Sequence, residues 1–508
     1  MDAHARSIVI GAGIGGLAVA LRLRAQGRNV LVLERAAEVG GKIRTLPSQA
    51  GPVDTGPTVL TMKPVFDQLF HDIGERLEEH VTLLPEPHLA RHWWRDGAVL
   101  DLWQDRAQSA AEIGGTFGAA ARADYERFAT EAERLFNAFD APMMKAAAPS
   151  RAALTARVLQ QPSIIAAMAP LSTLAQKLAR SFRDPHLRQL FGRYATYVGG
   201  SPYRSPAILS LISHSEAAGV WRVKGGMQRL AMSLKALAEA RGVEFICGAD
   251  VTRIELQGGR VAAVHTGDGR FACDDAVFNG DPRALTTGLV GASAKHATPA
   301  APLEDRSLSA LVWAFAARAS GPELVHHNVF FAEDPAAEFS PLAAGKMTED
   351  PTLYICAEDR GTGVTAPKLE RFEIIMNAAP LTGAAPAATE KEACRQRTHR
   401  TLAQFGLTFD AWPSDRALTT PTDWERRFPA SAGSLYGQSP HGMMAAFRRP
   451  TAQTRIPGLY LVGGGTHPGA GVPMATLSAQ HAAEAMRKAR TSTSTSRPTA
   501  THGGMSTA

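Results

Sequence analysis

The stretch Ser7–Gly16, SIVIGAGIGG, limits more than any other what this chain can fold into. Ser7 to Ile10 is a short β-branched run that reads as a buried strand. Gly11-Ala12-Gly13-Ile14-Gly15-Gly16 follows, then a helical pattern to Gln26 and a stop at Gly27, a residue suited to the position after a helix. A second strand, Asn29 to Leu33, ends in Glu34. Strand, glycine fingerprint, helix and acid in this register predict a dinucleotide site. Gly11 makes the tight turn, Gly13 admits backbone close to a pyrophosphate, Gly15 shares that turn, and Gly16 lets the helix pack closely. The helix start offers unpaired N–H groups and a positive dipole end to phosphate. Glu34, 21 residues after Gly13, is placed to accept hydrogen bonds from a ribose diol.

Three further glycine-rich turns accompany the fingerprint. In ERAAEVGGKIRT, Gly40 and Gly41 make a second close backbone approach, with Lys42 and Arg44 as nearby cations for phosphate. In GPVDTGPTVL, Gly56-Pro57-Thr58 forms a turn ahead of an apolar run. Far downstream, LYLVGGGTHPGAGVPMATLSA places a strand before Gly463, Gly464 and Gly465 and starts a helix at about Met474, continuing to Lys488. A nicotinamide dehydrogenase normally runs from its acid into more alternating strand–helix units. This chain leaves the sheet instead, and so resembles the FAD-binding half of the flavin amine oxidase and carotenoid desaturase superfamily. That likeness implies an α/β, Rossmann-like FAD-binding domain with an inserted mixed α+β substrate domain. It also implies that the residue matching Val251 lies beside adenine, although a plain buried strand valine fits the sequence equally well. The last helix would point its N–H groups at the electron-poor end of an isoalloxazine. No His or Cys stands in a flavin-attachment motif, so FAD is expected to be noncovalent.

A chain of 508 residues implies two or three domains. The expected division is discontinuous: 1–65, 219–280 and 457–487 bind FAD, 66–218 and 281–456 form the substrate domain, and 488–508 are a disordered, low-complexity tail. VEFICGADVTRIEL reads as one continuing strand, followed by a β-meander turned at Gly258-Gly259 and Asp268-Gly269. Four cysteines without CxxC spacing argue against a disulfide framework or a zinc site and fit a reducing compartment. No apolar run reaches the length of a spanning helix. Between Ala141 and Arg183 there is no Asp or Glu, while Lys145, Arg151, Arg157, Lys177, Arg180 and Arg183 are basic and LTARVL and IIAAMAPL are apolar. Such a segment suits the negative inner face of a cytoplasmic membrane, with a solvated helix pair as the alternative. Its near-absence of aromatics argues against nucleic acid.

GPVDTGPTVLTMKPVF, GVWRVKGGMQRLAMSL and LYLVGGGTHPGAGVPMATLSA together resemble the bacterial, phytoene-type carotenoid desaturases from Ser7 to about Arg487. HHNVFFAEDPAAEF, His326 to Phe339, is similar to the hydroxyneurosporene desaturase branch. The resemblance implies a FAD-dependent enzyme acting on CH–CH bonds, which inserts the C3–C4 double bond of a long acyclic 1-hydroxy-carotenoid. Hydride would pass to flavin N5 and electrons onward to oxygen or a quinone. Phytoene desaturation or carotenoid isomerisation is the nearest alternative, and a flavin amine oxidase or a flavin-free prenyl-lipid carrier is further off. Where related oxidases often carry an acid in the last turn, this chain has Gly464, so the ribityl contact falls to backbone or to another side chain. No catalytic residue is identifiable. His214 and Glu216 are placed to accept a proton or anchor a terminal hydroxyl, but a satisfied polar pair on a helix is the simpler reading. His467 reads as a turn-stabilising histidine.

Overall fold

A computed structural model describes residues 5–161, 163–300, 302–361, 363–381 and 389–494. A five-stranded, all-parallel sheet runs Glu244–Cys247, Asn29–Glu34, Arg6–Ile10, Asp275–Phe278, Leu459–Leu461. The strands Arg6–Ile10 and Leu459–Leu461 therefore flank one shared neighbour, and the glycine turns that follow them emerge at the same sheet end. Their Val/Ile/Leu content reflects cover on both faces. Helix Ile14–Ala25 is apolar all round until Arg22 and Arg24 in its last turn and is nearly all buried, packed against helices Gln228–Ala240 and Val472–Ser494.

Two expectations change here. VEFICGADVTRIEL is not one strand: the chain breaks at Gly248, whose φ of +78° suits glycine. Glu244–Cys247 joins the parallel sheet, while Val251–Gln257 swings into an antiparallel meander with Arg260–Thr266 and Gly269–Ala272. The last helix begins at Val472 and runs to Ser494, so residues 488–494, assigned to the tail, are helical; 495–508 lie outside the described residues.

A second, seven-stranded sheet has the order Leu418–Thr419, Ser309–Ala317, Glu370–Ala378, Leu353–Ala357, His327–Phe330, His88–Trp93, Val99–Trp103. It is antiparallel except where His327–Phe330 runs alongside His88–Trp93. Helices Arg106–Phe117, Ala119–Phe139, Leu174–Ser181 and Pro185–Gly192 cover one end of it through a core that includes Leu100, Ile113, Phe128, Phe182 and Phe191. The basic stretch 141–183 is less cationic at its surface than its sequence implies. Lys177 is buried and donates to the carbonyl of Ala167, Arg183 pairs with Asp124, and Lys145 pairs with Asp140. Two of its apolar side chains stand out in solvent, Leu171 at 86% and Leu159 at 73%. Among the described residues no helix is long and apolar enough to cross a membrane.

The parallel sheet and its covering helices are joined by one buried cation. Arg28 donates to Asp275 at 2.7 Å, to Ser7 at 3.1 Å and to the carbonyl of Met486 at 3.4 Å, linking two strands to the last helix. Its removal leaves Asp275 buried with Arg260 as its one remaining cationic partner among the described residues. Arg28→Ala should lower stability by about 3 kcal/mol, measured by urea titration.

Candidate functional site

Between the two sheets lies a cavity of about 1060 Å³, at the upper limit of the roughly 300–1,000 Å³ usual for one small ligand. Both glycine clusters line it. At its polar end the fingerprint is built for a bulky anionic ligand. Gly11 has φ +98°, and Gly13 starts the helix with no side-chain cap, so the first-turn N–H groups have no side-chain acceptor. A Cβ at Gly16 would stand 2.0 Å from the Gly11 carbonyl oxygen, and one at Gly41 would stand 3.1 Å from Gly13 Cα. Glu34 is buried at its strand end, where Oε2 accepts the Ala12 N–H at 2.6 Å and Oε1 the Ala36 N–H at 2.8 Å. Its carboxylate is thus fixed at the turn and still faces the cavity with lone pairs to spare.

Gly15, Gly40, Lys42 and Val251 line this end as well. Gly56, Pro57 and Thr58 line the cavity further along, as do Gly464 and Gly465. Gly16 does not; its place is under the turn, against the Gly11 carbonyl. Met474 does not either, because the helix starts two residues earlier. Val472, Pro473 and Ala475 reach the cavity, while Met474 packs on the core around the first helix. Lys42 contacts the Leu435 carbonyl and lies 5.3 Å from the Phe428 ring centre; burial lowers its pKa to about 8. Arg44 turns away, donating to Thr419 at 2.6 Å over Trp424.

Two functional positions went unread in the sequence. Asn279 follows the strand Asp275–Phe278 and donates to the Gly11 carbonyl at 3.1 Å, with its Oδ1 2.7 Å from where a Gly463 Cβ would be. Arg449 is buried and donates to the carbonyls of Gly464 at 2.8 Å, Tyr436 at 3.0 Å and Gln438 at 2.8 Å. It fixes the last glycine turn from behind, and burial lowers its pKa to about 10. A polar residue directly after a strand bearing toward the fingerprint was the one signal available for Asn279. Arg449 carried none.

Beyond the glycine turns the cavity becomes apolar, walled by Leu89, Leu178, Leu308, Val312, Phe331 and Phe339. Polar groups interrupt it, Arg188 and Gln189 among them, and two clusters stand out. In one, Tyr197 donates to Glu216 at 2.8 Å, Tyr194 donates to the other Glu216 oxygen, and Arg193 lies over the rings of Tyr197 and Tyr354. In the other, Glu338 accepts from Thr352 at 2.7 Å and Asn377 at 3.1 Å, and burial raises its pKa. His214 is not paired with Glu216; it packs against Phe136. His467 is buried outside the cavity and bonded to the Ala146 carbonyl at 2.9 Å.

Comparison with known proteins agrees with this geometry. Residues 14–487 match the family described as flavin containing amine oxidoreductase. The chain is 54% identical to a hydroxyneurosporene desaturase of Cereibacter sphaeroides and 49% identical to that of Rhodobacter capsulatus, in each case over 94% of this chain and 97% of the relative. It is 29% identical to a 1-hydroxycarotenoid 3,4-desaturase of a Flavobacterium species, over 94% of this chain and 98% of that one. Cyclohexylamine oxidase from Brevibacterium oxydans shares the fold, with a TM-score of 0.57 at 17% identity, over 96% of this chain and 100% of that one.

Gly16→Ala forces the fingerprint turn open. The purified variant should lose most of its flavin, read as the ratio of visible flavin absorbance to protein absorbance; retention of full flavin content would contradict the assigned role.

Proposed function

The chain belongs to the flavin-containing amine oxidoreductase family and, within it, to the carotenoid desaturases, and on that premise we propose that it inserts the C3–C4 double bond of an acyclic 1-hydroxy-carotenoid of the 1-hydroxyneurosporene type. It is a FAD-dependent oxidoreductase acting on CH–CH bonds. One observation carries the reading: a single cavity joins the dinucleotide fingerprint to an apolar chamber. Bound FAD supplies the hydride acceptor. Its pyrophosphate fits the start of helix Ile14–Ala25, its ribose Glu34, its adenine the wall at Val251, and its ring the space between Gly56–Thr58 and Gly464–Gly465. Residues 1–65, 219–280 and 457–487 thus serve the cofactor, and 66–218 with 281–456 the substrate.

The protein's own part in the chemistry is alignment and exclusion of water. A conjugated polyene spreads developing positive charge along itself, so a C–H bond held in line and a dry chamber supply most of what the reaction needs. Leu89, Val312 and Phe331 offer such walls, and a rod-like isoprenoid needs no charged anchor along its length.

The substrate is membrane-borne, and Tyr203, which lines the chamber, is 40% exposed. Helix Leu174–Ser181 lines the chamber, and Leu171 precedes it in solvent. This favours peripheral docking on the inner membrane face through apolar side chains assisted by the remaining cations. Electrons then leave to oxygen or to a membrane quinone.

The holoenzyme given 1-hydroxyneurosporene in liposomes should lengthen its chromophore by one double bond, seen as a red shift of the carotenoid bands. Activity confined to phytoene would replace this reading with the earlier desaturation. Leu159→Glu with Leu171→Glu should reduce co-sedimentation with anionic liposomes about tenfold or more, by burying less apolar surface. Unchanged binding would remove the membrane role of this segment.

A further inference from the structure

Resting on the carotenoid reading above, we propose that Arg193, Tyr197 and Glu216 form the subsite for the substrate's terminal hydroxyl and so fix where the double bond is made. The argument begins with the substrate. In a 1-hydroxy-carotenoid the hydroxyl carbon is two carbon–carbon bonds from C3. If the C3–C4 bond is the one oxidised, the hydroxyl has to lie at the cofactor end of the chamber, not at its far end. Against an apolar wall that hydroxyl would be buried without partners, which is unfavourable. The polar corner nearest the cofactor end is therefore the one to ask about.

The two corners differ in this respect. Thr58, in the loop lining the cofactor space, is 2.8 Å from the Tyr354 hydroxyl. Arg193 lies 5.6 Å from the Tyr354 ring centre and 5.1 Å from that of Tyr197, whose hydroxyl bonds Glu216. The corner is thus continuous with the Gly56–Thr58 loop, and Arg193, Tyr197 and Glu216 all face the cavity. The Glu338 corner, where Thr352 and Asn377 hold the two oxygens, meets this loop one step further off, through the chain between Thr352 and Tyr354.

The chemistry of the first corner suits a tertiary alcohol, which has one O–H donor and two acceptor lone pairs. Both Glu216 oxygens are oriented by tyrosine donors and keep lone pairs for a further O–H. Arg193 brings a fork of N–H donors held in place by two aromatic rings, ready for the alcohol's lone pairs. A hydroxyl seated between them is matched on both sides, whereas a carotenoid lacking it leaves the Arg193 donors and the spare Glu216 lone pairs without that match, the arrangement by which polar sites discriminate.

The test uses the full-length, FAD-loaded protein reduced with dithionite, which cannot turn over. 1-Hydroxyneurosporene and neurosporene, which lacks the hydroxyl, are titrated in detergent and binding is read by quenching of tryptophan fluorescence. Wild type should favour the hydroxylated carotenoid. Tyr197→Phe, which removes a single oxygen, and Arg193→Met should each weaken its binding about tenfold or more while neurosporene binding is retained. Arg193→Lys should recover part of the preference. Flavin content and circular dichroism identify any variant that fails to fold, and the isosteric Tyr197→Phe then stands as the deciding one. The subsite is overturned if the variants keep the full preference, if both carotenoids weaken equally, or if Glu338→Gln abolishes the preference and Arg193→Met does not. Wild type that desaturates phytoene but not 1-hydroxyneurosporene would overturn the functional reading itself, a result separable from the variant series.

Discussion

The structure depends on bringing the two ends of the chain together, backbone against backbone, around Asn279. Its amide bonds the Gly11 carbonyl, while a Cβ at Gly15 would lie 2.9 Å from the Gly463 nitrogen and one at Gly463 2.7 Å from the Asn279 oxygen. No side chain fits at these places. The close approach is possible because Asp275–Phe278 lies between the first and last strands of the sheet. Strand order thus converts two distant glycine motifs into one cofactor space. A side chain at either turn would separate them and open the dry interior to water.

Buried charge behind this space is arranged to stay fixed. Asp281 accepts from Arg306 and caps the short helix Pro282–Thr286, and its carboxylate is the nearest anionic influence on both Lys42 and Arg449. Behind the Gly56 loop three acids crowd together. Burial raises Asp54 to about 6 and Glu358 to about 8, and lifts Glu373 well above the usual carboxylate range. Arg371, 3.2 Å from Glu358, opposes this, but burial and the neighbouring Asp54 outweigh it. Near neutral pH Glu358 and Glu373 are held largely as neutral acids, while Asp54 is mostly ionised. Asp54 accepts the Met227 N–H at 2.8 Å and Glu358 the Asp54 N–H at 2.6 Å, which braces the loop, and the neutral forms of Glu358 and Glu373 limit the negative charge beneath an anionic cofactor.

What was legible in the sequence was whatever local backbone chemistry writes. Gly11, Gly13, Gly41 and Gly56 line the cavity at the turns the sequence marks, because a tight turn or a close approach demands glycine regardless of the rest of the fold, and Glu34 lines it from the end of its strand. Legibility ended where tertiary contacts decide. Met474 missed the cavity because a helix start shifts by two residues without altering the pattern. Lys177 looked like surface charge, yet its apolar stem lies in the core and its ammonium finds a carbonyl. Arg449 was invisible because it acts only on carbonyls, and backbone acceptors leave no mark in composition.

The chamber explains why so little of the chemistry could be read. Glu216 ends the first excursion from the parallel sheet, and Tyr354 belongs to the second. They approach the same Arg193 only because both excursions return to that sheet on either side of the cofactor space. A triad or a metal cluster would have shown as a set of reactive residues. A desaturase of polyenes places its specificity in a meeting of ordinary ones, Arg, Tyr and Glu, each held in place by a neighbour and each individually inconspicuous. Its selectivity is therefore a property of topology: the interleaving of two segments sets how far a polar corner stands from the flavin ring, and that distance, counted in carbon–carbon bonds, selects the position oxidised.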